Sequence, residues 1–201
     1  MSQANAPSRQ SDHPVESLIL NRWSPRSFSA ETVTEAQLMS LFEAARWAPS
    51  ASNTQPWRFA WALRGDAHWS AFVDFLVPAN QRWAQQAAAL LVIVSKNRAL
   101  KRDSTEFAPL KNHAFDTGSA WANLALQAHA MGLATHAMGG FDAAKVEAYL
   151  KVPEGYTVQA CVAVGKPGPK SALPEDLQAR ETPSGRNPVS SFTGHGALNW
   201  D

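Results

Sequence analysis

The sequence predicts an α+β fold, and three observations point there. Strand-like and helix-like stretches intermingle without the strict alternation of a doubly wound sheet. Two runs, "ALLVIVS" (89–95) and "TVQACVAVG" (157–165), are continuously apolar, the pattern of strands covered on both faces. Between them lies a helical stretch, 115–131, with one polar stripe of Ser119, Asn123 and Gln127; the rest is mostly apolar, so most of its faces are buried in a core or between subunits.

Taken in order, residues 1–13 are polar and predict a disordered tail, leaving 14–201 as a single domain. Val15, Leu18 and Ile19 recur at helical spacing behind Pro14, a residue suited to a first turn. Pro25 stops that helix and biases Ser24 to an extended shape. Thr34 and Gln37 have the spacing of a capping box, and Leu38, Leu41, Phe42 and Ala45 follow on one helical face, ending before Pro49. Residues 56–63 predict a strand closed by Arg64-Gly65, and 68–76 a short helix. "GLATHAM" predicts a strand broken at Gly139-Gly140, and Asp142 can cap a helix over 143–150. The last segment, 166–201, is rich in proline and glycine with scattered apolar residues; it must lie on another surface or be disordered.

A chain of 201 residues can bury roughly 70% of its unfolded surface, enough for a core without staples. The net charge is +1, which gives no sign of nucleic-acid or membrane partners. One cysteine, Cys161, excludes a disulfide framework. His113, His129 and His136 have no paired carboxylate or cysteine around them, so no metal site is predicted. With no spanning run and no signal-like N-terminus, the expected location is cytoplasmic. Eight tryptophans imply flat apolar surfaces, in a core or a planar ligand pocket.

Two polar stretches carry chemistry. "RWSPRSF" (22–28) places Arg22, Ser24 and Arg26 on one turn. Guanidinium forks and a hydroxyl suit a phosphomonoester, while the alternative is two solvated arginines offsetting a helix dipole. "APSASNTQPWRF" (48–59) sets Ser50, Ser52, Asn53, Thr54 and Gln55 in a row. Their amides suit the N–C=O edge of a heterocycle, while the alternative is an ordinary loop. The dinucleotide fingerprint, the P-loop, H-E-x-x-H and G-x-S-x-G are all absent.

In joint order, "NRWSPRSF", "AARWAPSASNTQPWRF", the Asn80 stretch, "GLATHAMGGFD", "VAVGKPG" and "GRNPVSSF" resemble the nitroreductase family of flavoproteins, over about residues 14–196. The resemblance implies a central, mainly antiparallel sheet flanked by helices. It also implies an intertwined homodimer, with helix 115–131 against its twin and the arm 166–201 wrapping the partner. FMN is the implied cofactor. Arg22, Ser24, Arg26 and Arg186 are the implied phosphate and ribityl donors. Pro49, Ser50, Ala51, Asn53 and Gln55 match the segment lent by the partner subunit, and Asn80 the asparagine at the ring edge. Met138, Gly139 and Gly140 match the stretch whose backbone approaches the ring, where glycine leaves room. Trp23 and Trp83 are expected to line the site.

The implied activity is hydride transfer from NADH or NADPH, through flavin N5, to a nitroaromatic or quinone-type acceptor by a ping-pong route. No side chain is expected to act as a catalytic nucleophile. The alternatives are a flavin reductase releasing reduced FMN, reduction of a small aldehyde or activated alkene, and a flavin-binding protein without turnover. Several relatives carry an acidic residue where Gly139 stands and a lysine where Trp83 stands, and some a second basic residue where Ser184 stands. Fewer cations near the ring imply a different choice of acceptor.

Overall fold

The computed structural model describes residues 9–101, 103–198 and 200; most of the predicted disordered tail, 1–8, lies outside them. A four-stranded sheet forms the centre. Its strands are β1 (Trp57–Leu63), β2 (Ala89–Lys96), β5 (Ala134–Met138) and β6 (Tyr156–Gly165), in the order β1-β2-β6-β5. All three pairings are antiparallel, with Trp57 opposite Ser95, Ala89 opposite Val164 and Met138 opposite Cys161. The register slips between Ile93 and Val94, and Gln159 on β6 is left without a cross-strand partner. Its amide turns back to donate to Ser95 Oγ at 2.9 Å.

Helices cover both faces, which is why β2 is apolar at nearly every position. Leu90, Val92 and Val94 face a core built with α3 (Trp69–Asp74), α4 (Pro78–Ala84) and α6 (Ala143–Leu150). Ala89, Leu91 and Ile93 face the opposite core, with α2 (Glu35–Arg46) and α5 (His113–Ala130). Leu91 and Leu124 are fully buried there, and truncating either to alanine costs about 2–5 kcal/mol.

Local chemistry fixes the ends. Thr34 Oγ1 accepts from Gln37 N and the Gln37 side chain accepts from Thr34 N, a complete capping box. Asp142 caps α6 by accepting from Lys145 N. Three further elements have no counterpart among the sequence expectations: α4, which Pro78 opens, and the hairpin of β3 (Arg98–Leu100) and β4 (Phe107–Pro109). The helix expected at 14–22 is a short α1 (Ser17–Asn21) with no buried residue. The start of the arm docks on its own chain. Pro167 bridges Phe28, and Leu173 and Leu177, the latter on α7 (Glu175–Gln178), enter the core, whereas Phe192 and Trp200 are exposed. Among the described residues, no helix is long and apolar enough to cross a membrane.

Candidate functional site

The turn 22–26 follows α1 and is held from several sides. Glu181 Oε1 accepts the backbone N–H groups of Arg26 and Ser27, each at 2.8 Å. His136, on β5, donates from Nδ1 to the Pro25 carbonyl at 3.0 Å, since a carbonyl only accepts. Ser27 Oγ donates to the Pro169 carbonyl at 2.7 Å. Arg22 Nη1 reaches Ser24 Oγ at 3.2 Å. Backbone anchors of this kind leave the arginine side chains free to aim elsewhere.

They aim into one cavity of about 240 Å³. Arg22, Trp23, Ser24 and Arg26 line it from the turn, and Arg186 and Ser184 from the arm. Arg9, His136, Arg180 and Thr182 complete the wall. Five guanidinium groups therefore share one small space, and no carboxylate lines it. The cost shows in their acidity. Burial, then Arg186 and then Arg22, hold Arg9 below its ordinary value. Burial, then Arg186, lowers Arg22. Burial leads the lowering of His136, against the hydrogen bond to Pro25 that favours its charged form. The ring is therefore neutral near pH 7. Such a cluster is relieved by a multiply charged anion with several acceptor oxygens.

A second cavity, of about 360 Å³, shares Arg22, Ser24 and His136 with the first. Its other walls are largely apolar: Ile19, Trp121, Ala122, Ala125, Leu126 and Ala137. A polar, cationic chamber thus lies beside a largely apolar one. Two larger hollows lie elsewhere, beside Met39 and Trp47 and beside Phe107 and His113. In the second of these Arg98 is paired with Glu154 and His113 with Ser95. Neither gathers converging like charges as the basic cavity does, so chemistry outweighs size in choosing the site.

Asn80 and Gly140 are brought together: Asn80 Nδ2 donates to the Gly140 carbonyl at 3.0 Å. A Cβ at Gly140 would sit 2.8 Å from that Nδ2 and 3.0 Å from Val77 Cγ2, so a larger residue there would push the Asn80 amide off the carbonyl it holds. Gly139 is the reverse case, with open space where a Cβ would point. Met138 beside it is buried.

Residues 49–55 behave differently, and none of them lines the basic cavity. Ser52, Asn53 and Gln55 have φ of 51°, 54° and 45°, left-handed values that are costly for non-glycine residues. Asp116, itself buried at the start of α5, accepts from Ala51 N at 3.0 Å, and Ser50 Oγ accepts from Gln55 N at 3.0 Å. Pro49, Ala51, Asn53 and Gln55 are exposed.

One expectation needs correcting. Trp83 is 2% exposed, stacks on Phe28 with centroids 6.4 Å apart, and lies 4.7 Å from the His136 ring. It is a core residue that supports His136 and does not present a face to a ligand, because the inward face of α4 points into the sheet. Arg9, Arg180, His136 and Glu181 are parts of the cradle that the sequence reading does not reach. Arg180 precedes Arg186 by six positions in the arm, a spacing that could have flagged it. Arg9 and His136 carry no local signal, since only the fold brings them to residue 22. Among the described residues, no cluster of three or more His, Cys, Asp or Glu is placed to hold a metal ion.

Comparison with known proteins places this geometry in context. A family model described as the Nitroreductase family matches residues 19–76 and 63–166. A protein named NADH dehydrogenase, from Thermus thermophilus, is 31% identical over 172 residues, covering 74% of this chain and 84% of that protein. A crystal structure described as an oxidoreductase containing FMN matches with a TM-score of 0.93 and 41% identity, covering 98% of this chain and 99% of the other. A nitroreductase family protein from Streptococcus pneumoniae TIGR4 shares the fold, with a TM-score of 0.69 at 20% identity over 89% of this chain and 98% of that one.

Proposed function

The chain belongs to the nitroreductase family, and from that premise we propose that it is an FMN-dependent oxidoreductase. In this reading it takes hydride from NADH or NADPH and delivers it to nitroaromatic or quinone-type acceptors, as a cytoplasmic homodimer. The observation that carries the reading is the five-arginine cavity joined through Arg22, Ser24 and His136 to an apolar one. A phosphorylated molecule with a flat ring system meets both halves, so FMN fits the donor set.

Arg22, Ser24, Arg26 and Arg186 would hold its phosphate by charge-assisted hydrogen bonds, each worth about 1.5–3 kcal/mol. Trp23 and His136 line the basic cavity, and His136 also lines the apolar one, so both would stand beside a bound FMN. Gly139, with no obstructing side chain, lets backbone approach the ring, and the Asn80–Gly140 contact fixes that backbone. Pro49, Ser50, Ala51, Asn53 and Gln55 complete the site of the partner subunit, consistent with the exposure of all but Ser50 and the left-handed backbone of Asn53 and Gln55. FMN held there would supply the redox chemistry of hydride transfer between nicotinamide and acceptor. The protein's share is to orient donor and acceptor in turn at one place and to stabilise charge at the ring edge. One shared place for both substrates gives ping-pong kinetics.

The test is anaerobic titration of FMN-reconstituted protein with NADH and NADPH, followed by steady-state assays over nitro compounds and quinones. The expected result is bleaching of the flavin absorbance and parallel double-reciprocal lines. A yellow protein that NADH and NADPH both fail to bleach would be a flavin-binding protein without turnover. Turnover of added free FMN with every nitro compound and quinone left unreduced would make it a flavin reductase.

A further inference from the structure

Arg9 comes from outside every motif, yet it lines the basic cavity. Its Nη1 donates to the carbonyls of Leu20, at 3.1 Å, and Arg22, at 2.7 Å. Those acceptors lie at the C-terminal end of α1, where helix carbonyls run out of partners and the arginine turn begins. Both N–H bonds of Nη1 are thereby used. The opposite edge of the guanidinium, Nε with Nη2, is the side-on fork that grips two oxygens of one anion. Arg9 Nε is buried and has no hydrogen-bond partner among the described residues. A buried donor left without an acceptor is unfavourable, and Arg9 lines the cavity in which the proposed phosphate would lie.

The same segment is tied at a second point. Asp12 Oδ2 accepts from Val189 N at 3.1 Å, on the arm that carries Arg186. Residues 9–12 therefore run as a strap from the arginine turn to the arm, beside the cavity that Arg22 and Arg186 share. Without an anion, the guanidiniums of Arg9, Arg22 and Arg186 repel one another at that strap.

We propose that Arg9 is a further phosphate ligand, carried on an N-terminal strap, and that it makes the site selective for phosphorylated over unphosphorylated flavin. This rests on the FMN reading above. Arg9 grips the anion through its Nε–Nη2 edge while its Nη1 holds the turn, so anion binding and strap closure are one event.

The experiment measures binding of FMN and of riboflavin to the wild type and Arg9→Gln by flavin fluorescence. Arg9→Gln is expected to weaken FMN about 10- to 100-fold and leave riboflavin unchanged. Asp12→Ala, which keeps Arg9 but frees the strap from Val189, is the second variant. It is expected to weaken FMN less and riboflavin not at all. FMN, but not riboflavin, should also protect the segment around residue 9 from proteolysis in the wild type. Arg9→Gln and Asp12→Ala both binding FMN as the wild type does would overturn the proposal. So would an equal loss of both flavins in Arg9→Gln, which would mean a structural role only. A wild type that binds neither flavin overturns the parent reading instead, and this one with it.

Discussion

The turn 22–26 and the segment 49–55 are both polar loops that follow a helix, but they are unfinished in opposite ways. The turn is half-buried and held by Glu181, His136 and Arg9 from three distant parts of the chain. Its backbone has no left-handed residue, and what it lacks is negative charge. The segment has three left-handed residues and mostly exposed side chains. It is anchored chiefly by Asp116, and what it lacks is a surface to lie on. In the proposed reading the first holds an anion, and the second is a strained projection that meets a neighbouring subunit. Strain is retained where a surrounding contact over-determines it, so the contact expected here is intermolecular.

The largest expected effect falls on the turn. Arg22→Ala removes a guanidinium that lines both cavities, and should lower FMN affinity by about 100-fold or more, measured by fluorescence titration. Riboflavin affinity should fall far less, because the lost contacts are to phosphate. Asp116→Ala tests the other region. It orphans the Ala51 N–H and frees the segment, at a cost of about 1–3 kcal/mol in thermal stability. Turnover with NADH should drop, while the ratio of FMN to riboflavin affinity stays at the wild-type value. If Asp116→Ala changes that ratio, the two regions are not the separate half-sites described here.

How far the sequence foretells this depends on whether a feature is local. The Thr34–Gln37 box and the Asp142 cap are written within four residues and are legible to the residue. The β2 run announces two covered faces because no position in it is polar until Ser95. The turn and the 48–59 stretch are legible as polar clusters, but only the family resemblance gives them a ligand. Arg186 is brought to the turn by the family resemblance alone, and the convergence of Arg9, Arg180 and His136 on residue 22 is not legible, because they meet it only through the fold. A histidine such as His136 could have been a metal ligand; in the fold its ring is spent on the Pro25 carbonyl and on Trp83. The sequence also does not tell Trp23 from Trp83, since burial depends on which helix face meets the sheet. Residues 9–13, expected to be disordered, instead make the Arg9 and Asp12 contacts.

A moderate effect is expected from acidity. Burial holds His136 below the ordinary value of 6.5, so the unfolded chain binds its proton more readily than the folded one. The stability due to the neutral ring is therefore fully present above pH 6.5 and is lost as pH falls through the lower folded-state value. Unfolding in denaturant, followed from pH 7.5 downward, should show that loss. Arg26 and Arg22 bear on the ring from the turn, and both oppose its protonation. His136→Phe, which keeps an aromatic ring against Trp83, should flatten this part of the pH profile while lowering stability at pH 7.5, because the Pro25 carbonyl loses its donor. The pH dependence belongs to the turn. Variants of 49–55, a segment that holds no titratable side chain, should leave it untouched.

The smallest effect separates strain from function. Ser52 holds φ 51° and ψ 27° with no glycine to ease it. A left-handed residue costs about 1–2 kcal/mol, and glycine recovers most of that while giving back about 0.5–1 kcal/mol in unfolded-chain entropy. Ser52→Gly should therefore gain at most about 1 kcal/mol, a rise in Tm of about 2–4 °C for a chain of this size. If the strain serves to present Asn53 and Gln55 to a partner subunit, the same change should lower turnover slightly while Tm rises, since a looser segment presents them less well. A Tm that falls would mean that the Ser52 side chain itself holds the segment, and the cost assigned to its backbone would then be too high.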